Sequence, residues 1–163
     1  MKRAFTAVGL ATALTAGTLA ATGTAADAAA RGTFGPTGYA GLKIGMSAEK
    51  AAKTRKLVRK SKGGACSGYD LKGHPTGKDA VGVYVSKKYG VALILAPKGA
   101  ATPRGIRVGS TFKQLKRAYP GVKRDIHGYY DVKVNSKVLY QFTVSKGKVR
   151  EMTLNAKKQD CYN

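Results

Sequence analysis

Acidic residues are what this chain has least of: eight Asp and Glu stand against 30 Lys and Arg in 163 residues, a formal charge of +22 at neutral pH. A surface so one-sided attracts polyanions, and the compact state must form against its own repulsion. Tryptophan is absent, and there are only two Cys and two His. So thin a supply of titratable groups leaves little from which to build a catalytic centre. No G-x-S-x-G, P-loop or dinucleotide fingerprint occurs, and no uncharged run of membrane-spanning length follows residue 30. The hydrophobic fraction, 43%, is ordinary. With a length that suits one domain, it argues against both a wholly disordered chain and a multidomain enzyme.

What is present begins with a secretory pattern. Met1-Lys2-Arg3 supplies a positive start, and Ala4 to Ala26 carries no charge. The stretch closes on Ala26-Asp27-Ala28-Ala29-Ala30, where small residues at 26/28 or 28/30 make cleavage sites. Residues 1–30 are therefore expected to be a cleaved signal peptide, with residues 31–163 as a single secreted domain, extracellular or held at the cell wall. Removing them takes away Lys2, Arg3 and Asp27 and leaves a net +21, so nearly all the charge belongs to the mature protein.

Cys66 and Cys161 fall in that domain. An even count in a small secreted protein reads as a disulfide, and closing so long a loop stabilises by roughly 4–5 kcal/mol in the chain-entropy picture. Gly64-Ala65-Cys66-Ser67-Gly68 has the outline of a nucleophile elbow with Cys in place of Ser, but the flanking strand and helix that such an elbow needs are not evident.

A short motif occurs twice. Gly41-Leu42-Lys43-Ile44-Gly45-Met46-Ser47 returns as Gly105-Ile106-Arg107-Val108-Gly109-Ser110-Thr111, with conservative replacements between the glycines. Helix-like stretches follow, Ala48 to Val58 and Phe112 to Tyr119, with Ser47 and Thr111 as N-caps and Gln114 completing a capping box. Pro120-Gly121 stops the second, and Lys62-Gly63-Gly64 is the weaker stop for the first. The period then changes to two. Strands are expected at Ala80–Ser86 and Val91–Ala96, more briefly near Tyr69–Leu71, and then as a meander over Tyr129–Val134, Val138–Val144 and Val149–Leu154. The expected class is α+β: two tandem repeats, near 41–96 and 105–154, of a helix followed by antiparallel strands, sharing one core.

The G-h-x-h-G-M-S/T lead into a helix, over Gly41–Ala52 and Gly105–Lys116, resembles the tandem repeat of the secreted beta-lactamase inhibitory proteins and of small outer-membrane assembly lipoproteins. It is also similar to a group of secreted actinobacterial proteins with two such repeats. The resemblance implies a fold with an exposed sheet face for binding. Ser110 replaces the expected Met, the lipoprotein Cys is missing, and the single disulfide would join the halves instead of closing each repeat.

Basic residues interleaved with Tyr carry the functional signal. They cluster over 50–62, 113–124 and 146–150, and the densest set, Lys113, Lys116, Arg117, Lys123 and Arg124, is the expected polyanion-binding site. The expected partner is an anionic polymer (envelope polymer, glycan or nucleic acid) or an acidic protein surface, bound by a monomer without cofactor or metal. An inhibitor with one protein target is the alternative. A basic ribonuclease, using His74 and His127, or a toxin is the second alternative, and Asp70, His74, Asp125 and His127 lack compact metal-ligand spacing.

Overall fold

The computed structural model describes residues 33–162. The expected signal segment and its cleavage sites lie outside them. Ten strands and two helices form: β1 (Gly38–Tyr39), β2 (Leu42–Lys43), α1 (Ala48–Lys53), β3 (Leu57–Lys62), β4 (Cys66–Leu71), β5 (Val83–Ser86), β6 (Gly90–Leu95), α2 (Phe112–Ala118), β7 (Lys123–Arg124), β8 (Tyr130–Lys133), β9 (Val138–Ser145) and β10 (Lys148–Ala156). Strands β1 and β2 make a small ribbon, and the other eight join in one antiparallel sheet of order β3-β4-β5-β6-β10-β9-β8-β7.

This corrects the expected α+β class of helix-and-strand repeats: the described residues are mostly antiparallel sheet with two short helices. The reason lies at Thr54-Arg55. The Thr54 hydroxyl donates to the Ala51 carbonyl at 2.6 Å, and Arg55 takes the left-handed backbone at φ +55°. A residue in that region ends an α-helix. The chain leaves α1 after six residues, and Leu57–Lys62, whose first two residues were expected to be helix, becomes the edge strand β3. Lys62-Gly63-Gly64 is then the turn between β3 and β4 instead of a helix stop.

The two glycine turns do the same local work. Gly45 and Gly109 sit at φ +80° and +92°, a region that favours glycine because a Cβ crowds the following carbonyl. The Gly45 amide donates to the Val91 carbonyl and the Val91 amide to that of Met46, both at 2.8 Å. The Gly109 amide donates to the Val149 carbonyl and the Val149 amide to that of Ser110, also both at 2.8 Å. Each turn is thus stitched to a strand before its helix starts. Ser47 caps α1 by accepting from the Lys50 amide, and Thr111 and Gln114 form the reciprocal box on α2. Helices this short do not persist alone. They are held because Ala51 and Leu115 are fully buried against the sheet.

At the sheet centre, β6 pairs with β10, placing Leu95 opposite Thr153 and Leu93 opposite Asn155. One face packs Val83, Ile94, Met152, Leu154, Phe142 and Tyr140 into a single apolar cluster with Phe34, Leu42, Ala51 and Leu115. The Tyr140 hydroxyl donates to the Phe34 carbonyl at 2.7 Å and ties the start of the described chain onto β9. Cys66 on β4 bonds Cys161, as the cysteine count suggested, and no cysteine is free. The residues after β10 therefore fold back toward β5, where the Tyr162 and Tyr84 ring centroids are 6.0 Å apart. Burial pushes the Tyr162 phenol up to about 12. No described helix is long and apolar enough to cross a membrane.

Candidate anion-binding cleft

The five cations singled out by density are all exposed. Lys113, Lys116 and Arg117 stand on α2, and Lys123 and Arg124 form the two-residue edge strand β7. The fold does not gather all five. Arg117 alone among them lines a cleft of about 320 Å3, and it is joined there by Arg104, Arg107, Ser110 and Gln114. Lys116 lies over the Phe112 ring, its ammonium 5.7 Å from the centroid.

Each wall of the cleft follows from local sequence. Thr102 accepts from the Ile106 amide through its hydroxyl and donates its own amide to the Ile106 carbonyl, which closes the turn carrying Arg104 and Arg107. Ser110 accepts from the Arg107 amide at 3.1 Å and fixes that residue's backbone. Arg104 is the most constrained of the three. Its Nη1 donates to the Ala118 carbonyl at 2.5 Å, an unsatisfied acceptor of the last turn of α2. Its guanidinium also lies 5.2 Å from the Tyr119 ring centroid, an attractive placement over the ring's negative face. Burial raises the Tyr119 phenol, opposed by its hydrogen bond with Thr102 and by the Arg104 charge.

No carboxylate lines this cleft. Among the described residues ion pairs form only between Lys53 and Glu49 and between Lys60 and Asp70. Three arginines line this hollow with no acid among its lining residues, so the local potential favours a bound anion. Arg104 and Arg107 were not singled out from the sequence because each stands apart from the basic runs. Arg107 matches Lys43 in the doubled motif, and the only local hint is that Pro103 and Gly105 bracket Arg104 with residues that restrict or specialise the backbone.

A second hollow, about 500 Å3, adjoins the first. Pro36, Pro103, Pro120, Val132 and Val134 wall it, Tyr119 and Tyr140 contribute to its floor, and Arg104 lines it as well as the arginine cleft.

The remaining candidates are used elsewhere. Asp70 is buried and tied down: its carboxylate accepts from the Thr76 hydroxyl at 2.6 Å and the Thr76 amide at 3.0 Å, with the Lys60 ammonium at 3.6 Å. Burial raises this carboxyl, yet those hydrogen bonds and the Lys60 charge outweigh it and hold the group below its ordinary 3.8. Asp125 accepts from the His127 and Tyr129 amides and shapes the β7–β8 loop. His74 follows β4 and His127 precedes β8, five strand spacings away in the sheet order. At ~4.8 Å per spacing that is roughly 24 Å. The structure does not bring the two histidines together. Among the described residues the one grouping of three potential ligands is Cys66, Asp160 and Cys161, and both of its sulfurs are spent in the disulfide. The same bond leaves no thiol for a nucleophile at Cys66.

The sheet face opposite the helices has a different character. Cross-strand rows run Tyr84, Leu93, Asn155, Leu139 and Leu95, Thr153, Gln141, Asp131. The Gln141 amide group donates to both Asp131 and Asp125, at 3.2 and 3.4 Å. Burial raises the Asp131 carboxyl, the Gln141 bond opposes that, and the Asp125 charge adds to it. Two carboxylates at one end make this face a poor anion surface.

The chain matches no protein-family profile, no curated protein and no solved structure.

Proposed function

We propose that this is a secreted, non-enzymatic basic protein that binds an anionic polymer, with Arg104, Arg107 and Arg117 as its fixed contact point and the surrounding lysines as a diffuse attractive field. The observation that carries the reading is the convergence of three arginines in one cleft with no acid among its lining residues. Arginine suits this work because its planar fork bonds phosphate, sulfate or carboxylate oxygens in pairs, and it keeps its charge at any physiological pH. The disulfide fits an oxidising, extracellular compartment. The uncharged stretch at residues 4–26 fits export as a signal peptide.

The test is retention on heparin or nucleic acid across a salt series. Affinity should fall linearly in log salt, with a slope of about 0.7–0.9 for each phosphate neutralised. Arg107→Glu with Arg117→Glu should flatten that slope and leave the melting temperature near that of the parent, since both side chains are exposed. Reversing Lys113, Lys116, Lys123 and Arg124 should reduce affinity without removing the fixed contact. Unchanged retention and slope in the double arginine variant would sink the proposal.

The inhibitor alternative rests on a separate observation. Leu93, Leu95 and Leu139 stand half-buried on the sheet face opposite the helices, and Asn155 Oδ1 there is buried with no hydrogen-bond partner among the described residues. A protein target on that face would bind with weak salt dependence.

A further inference from the structure

The arginine cleft and the proline-walled hollow meet at one residue. Arg104 lines both, and the Ala118–Tyr119 corner of α2 borders both. We infer that the two hollows form one binding site for single-stranded nucleic acid, with a phosphate among the arginines and a base in the adjoining hollow. The inference rests on the polyanion reading and narrows it to one class of polymer.

The chemistry of the second hollow makes the selection. Its walls are largely proline rings and valine methyls, with Arg104 and Lys133 as its charged margin. The Tyr140 hydroxyl at its floor is spent inward on the Phe34 carbonyl. The Tyr119 and Tyr140 rings are both buried, and the guanidinium of Arg104 lies against the Tyr119 ring. A flat, weakly polar ring covers such a surface well, and bases stack on guanidinium planes as readily as on aromatic rings. A sulfated glycan, a polyphosphate or a polyol phosphate has no such ring and would leave the proline and valine surface uncovered. A duplex has the rings but keeps them paired and stacked inward, and releasing one costs free energy. Only a single strand places an anion and an accessible ring side by side along its length.

Preorganisation strengthens the case. Arg104 is held by the Ala118 carbonyl and the Tyr119 ring before any ligand arrives, so little of its side-chain entropy remains to be lost on binding. A hollow of about 500 Å3 is within the range that small ligand groups occupy. Lys133 at its edge supplies a further cation for the next phosphate.

The decisive comparison uses the intact protein and two oligomers of equal length and phosphate charge, a thymidine oligonucleotide and its abasic deoxyribose-phosphate counterpart, with heparin as a third probe. Because the chain has no Trp, intrinsic fluorescence reports its tyrosines alone. The oligonucleotide is expected to bind about tenfold or more tighter than the abasic chain at moderate salt, tighter than the same sequence as duplex, and with a change in tyrosine emission that heparin does not produce. Gly121→Leu, at a lining position where a Cβ meets nothing within 4 Å, should narrow the hollow without offering a stacking ring and weaken the preference while heparin retention stays. Equal affinity for the two oligomers, or stronger binding of duplex, would overturn the inference and leave the polyanion reading standing. Binding of none of the probes would overturn both. Should Gly121→Leu fail to fold, the comparison on the unmodified protein still decides.

Discussion

Gly90 opens β6 at φ +75°, and a Cβ there would lie 2.3 Å from the Met46 carbonyl oxygen and 2.9 Å from that of Gly45. Both oxygens belong to the backbone of the first glycine turn. Met46 cannot retreat without breaking the bond from the Val91 amide, and a shift of the whole turn also breaks the one from Gly45 to Val91. Gly45 and Gly109 provide the control, because a Cβ at either meets nothing within 4 Å. Alanine at these two positions costs only the left-handed backbone, about 1–2 kcal/mol. Alanine at Gly90 adds the loss of one or both hydrogen bonds, each worth about 1 kcal/mol, for a total of about 2–4 kcal/mol. For a chain of this size each kcal/mol lowers the melting temperature by about 3–5 °C. Urea unfolding followed by far-ultraviolet circular dichroism should therefore rank Gly90→Ala well below the other two, with Gly45→Ala and Gly109→Ala alike and all three slopes unchanged. If Gly90→Ala were as mild as Gly45→Ala, or if Gly45 and Gly109 responded very differently, the account of the glycine turns would be wrong.

Cys66→Ser should destabilise by about 2–5 kcal/mol, and thiol titration of the native parent should find no reactive group; two titrating thiols would contradict the bond. Asp70 gives a pH signature: its carboxyl is held below 3.8 in the fold, so the stabilisation is complete above 3.8 and is lost as pH falls through the lower folded value. Asp70→Asn should cost about 2–3 kcal/mol at neutral pH and should flatten the acid limb of the stability profile, which a pH series of urea midpoints would show.

Much of the sheet was legible from alternation. Strands β8, β9 and β10 lie within a residue or two of the expected boundaries; β9 alternates buried and half-buried positions, while β10 buries Met152 to Asn155 on both faces but is flanked by clear turn residues. Strand β3 left no such trace. After Leu57 every residue is exposed, and Arg59, Lys60 and Lys62 read as a charged helix or loop. That composition suits a sheet edge, where lysines discourage pairing with another chain. Lys60 there does further work: its ammonium donates to the Gly77 and Ala80 carbonyls at 2.6 and 2.7 Å and fastens the loop between β4 and β5 to the edge. The end of α1 was equally silent. Nothing in Lys53-Thr54-Arg55 announces a positive φ, since the residue that adopts it is an arginine and not a glycine.

The cleft was legible only in part, and the reason separates charge density from charge fixation. Density along the chain picks out Lys113, Lys116, Arg117, Lys123 and Arg124, which would draw in any polyanion within a Debye length. Fixation depends on what a side chain touches. A solvated lysine gives up rotamer freedom on each contact it makes, and much of the Coulomb gain goes with it. Arg104 has already given up that freedom to the Ala118 carbonyl and the Tyr119 ring. It reaches them from fourteen residues upstream, across a turn that only the folded chain closes. The lysines should therefore govern how fast and at what salt a polyanion arrives, and the arginines how firmly it stays. In a salt series, reversing lysines would act chiefly on association, and reversing Arg107 and Arg117 chiefly on dissociation. Equal effects of both sets on the dissociation rate would mean that the cleft is no more than another part of a uniformly basic surface.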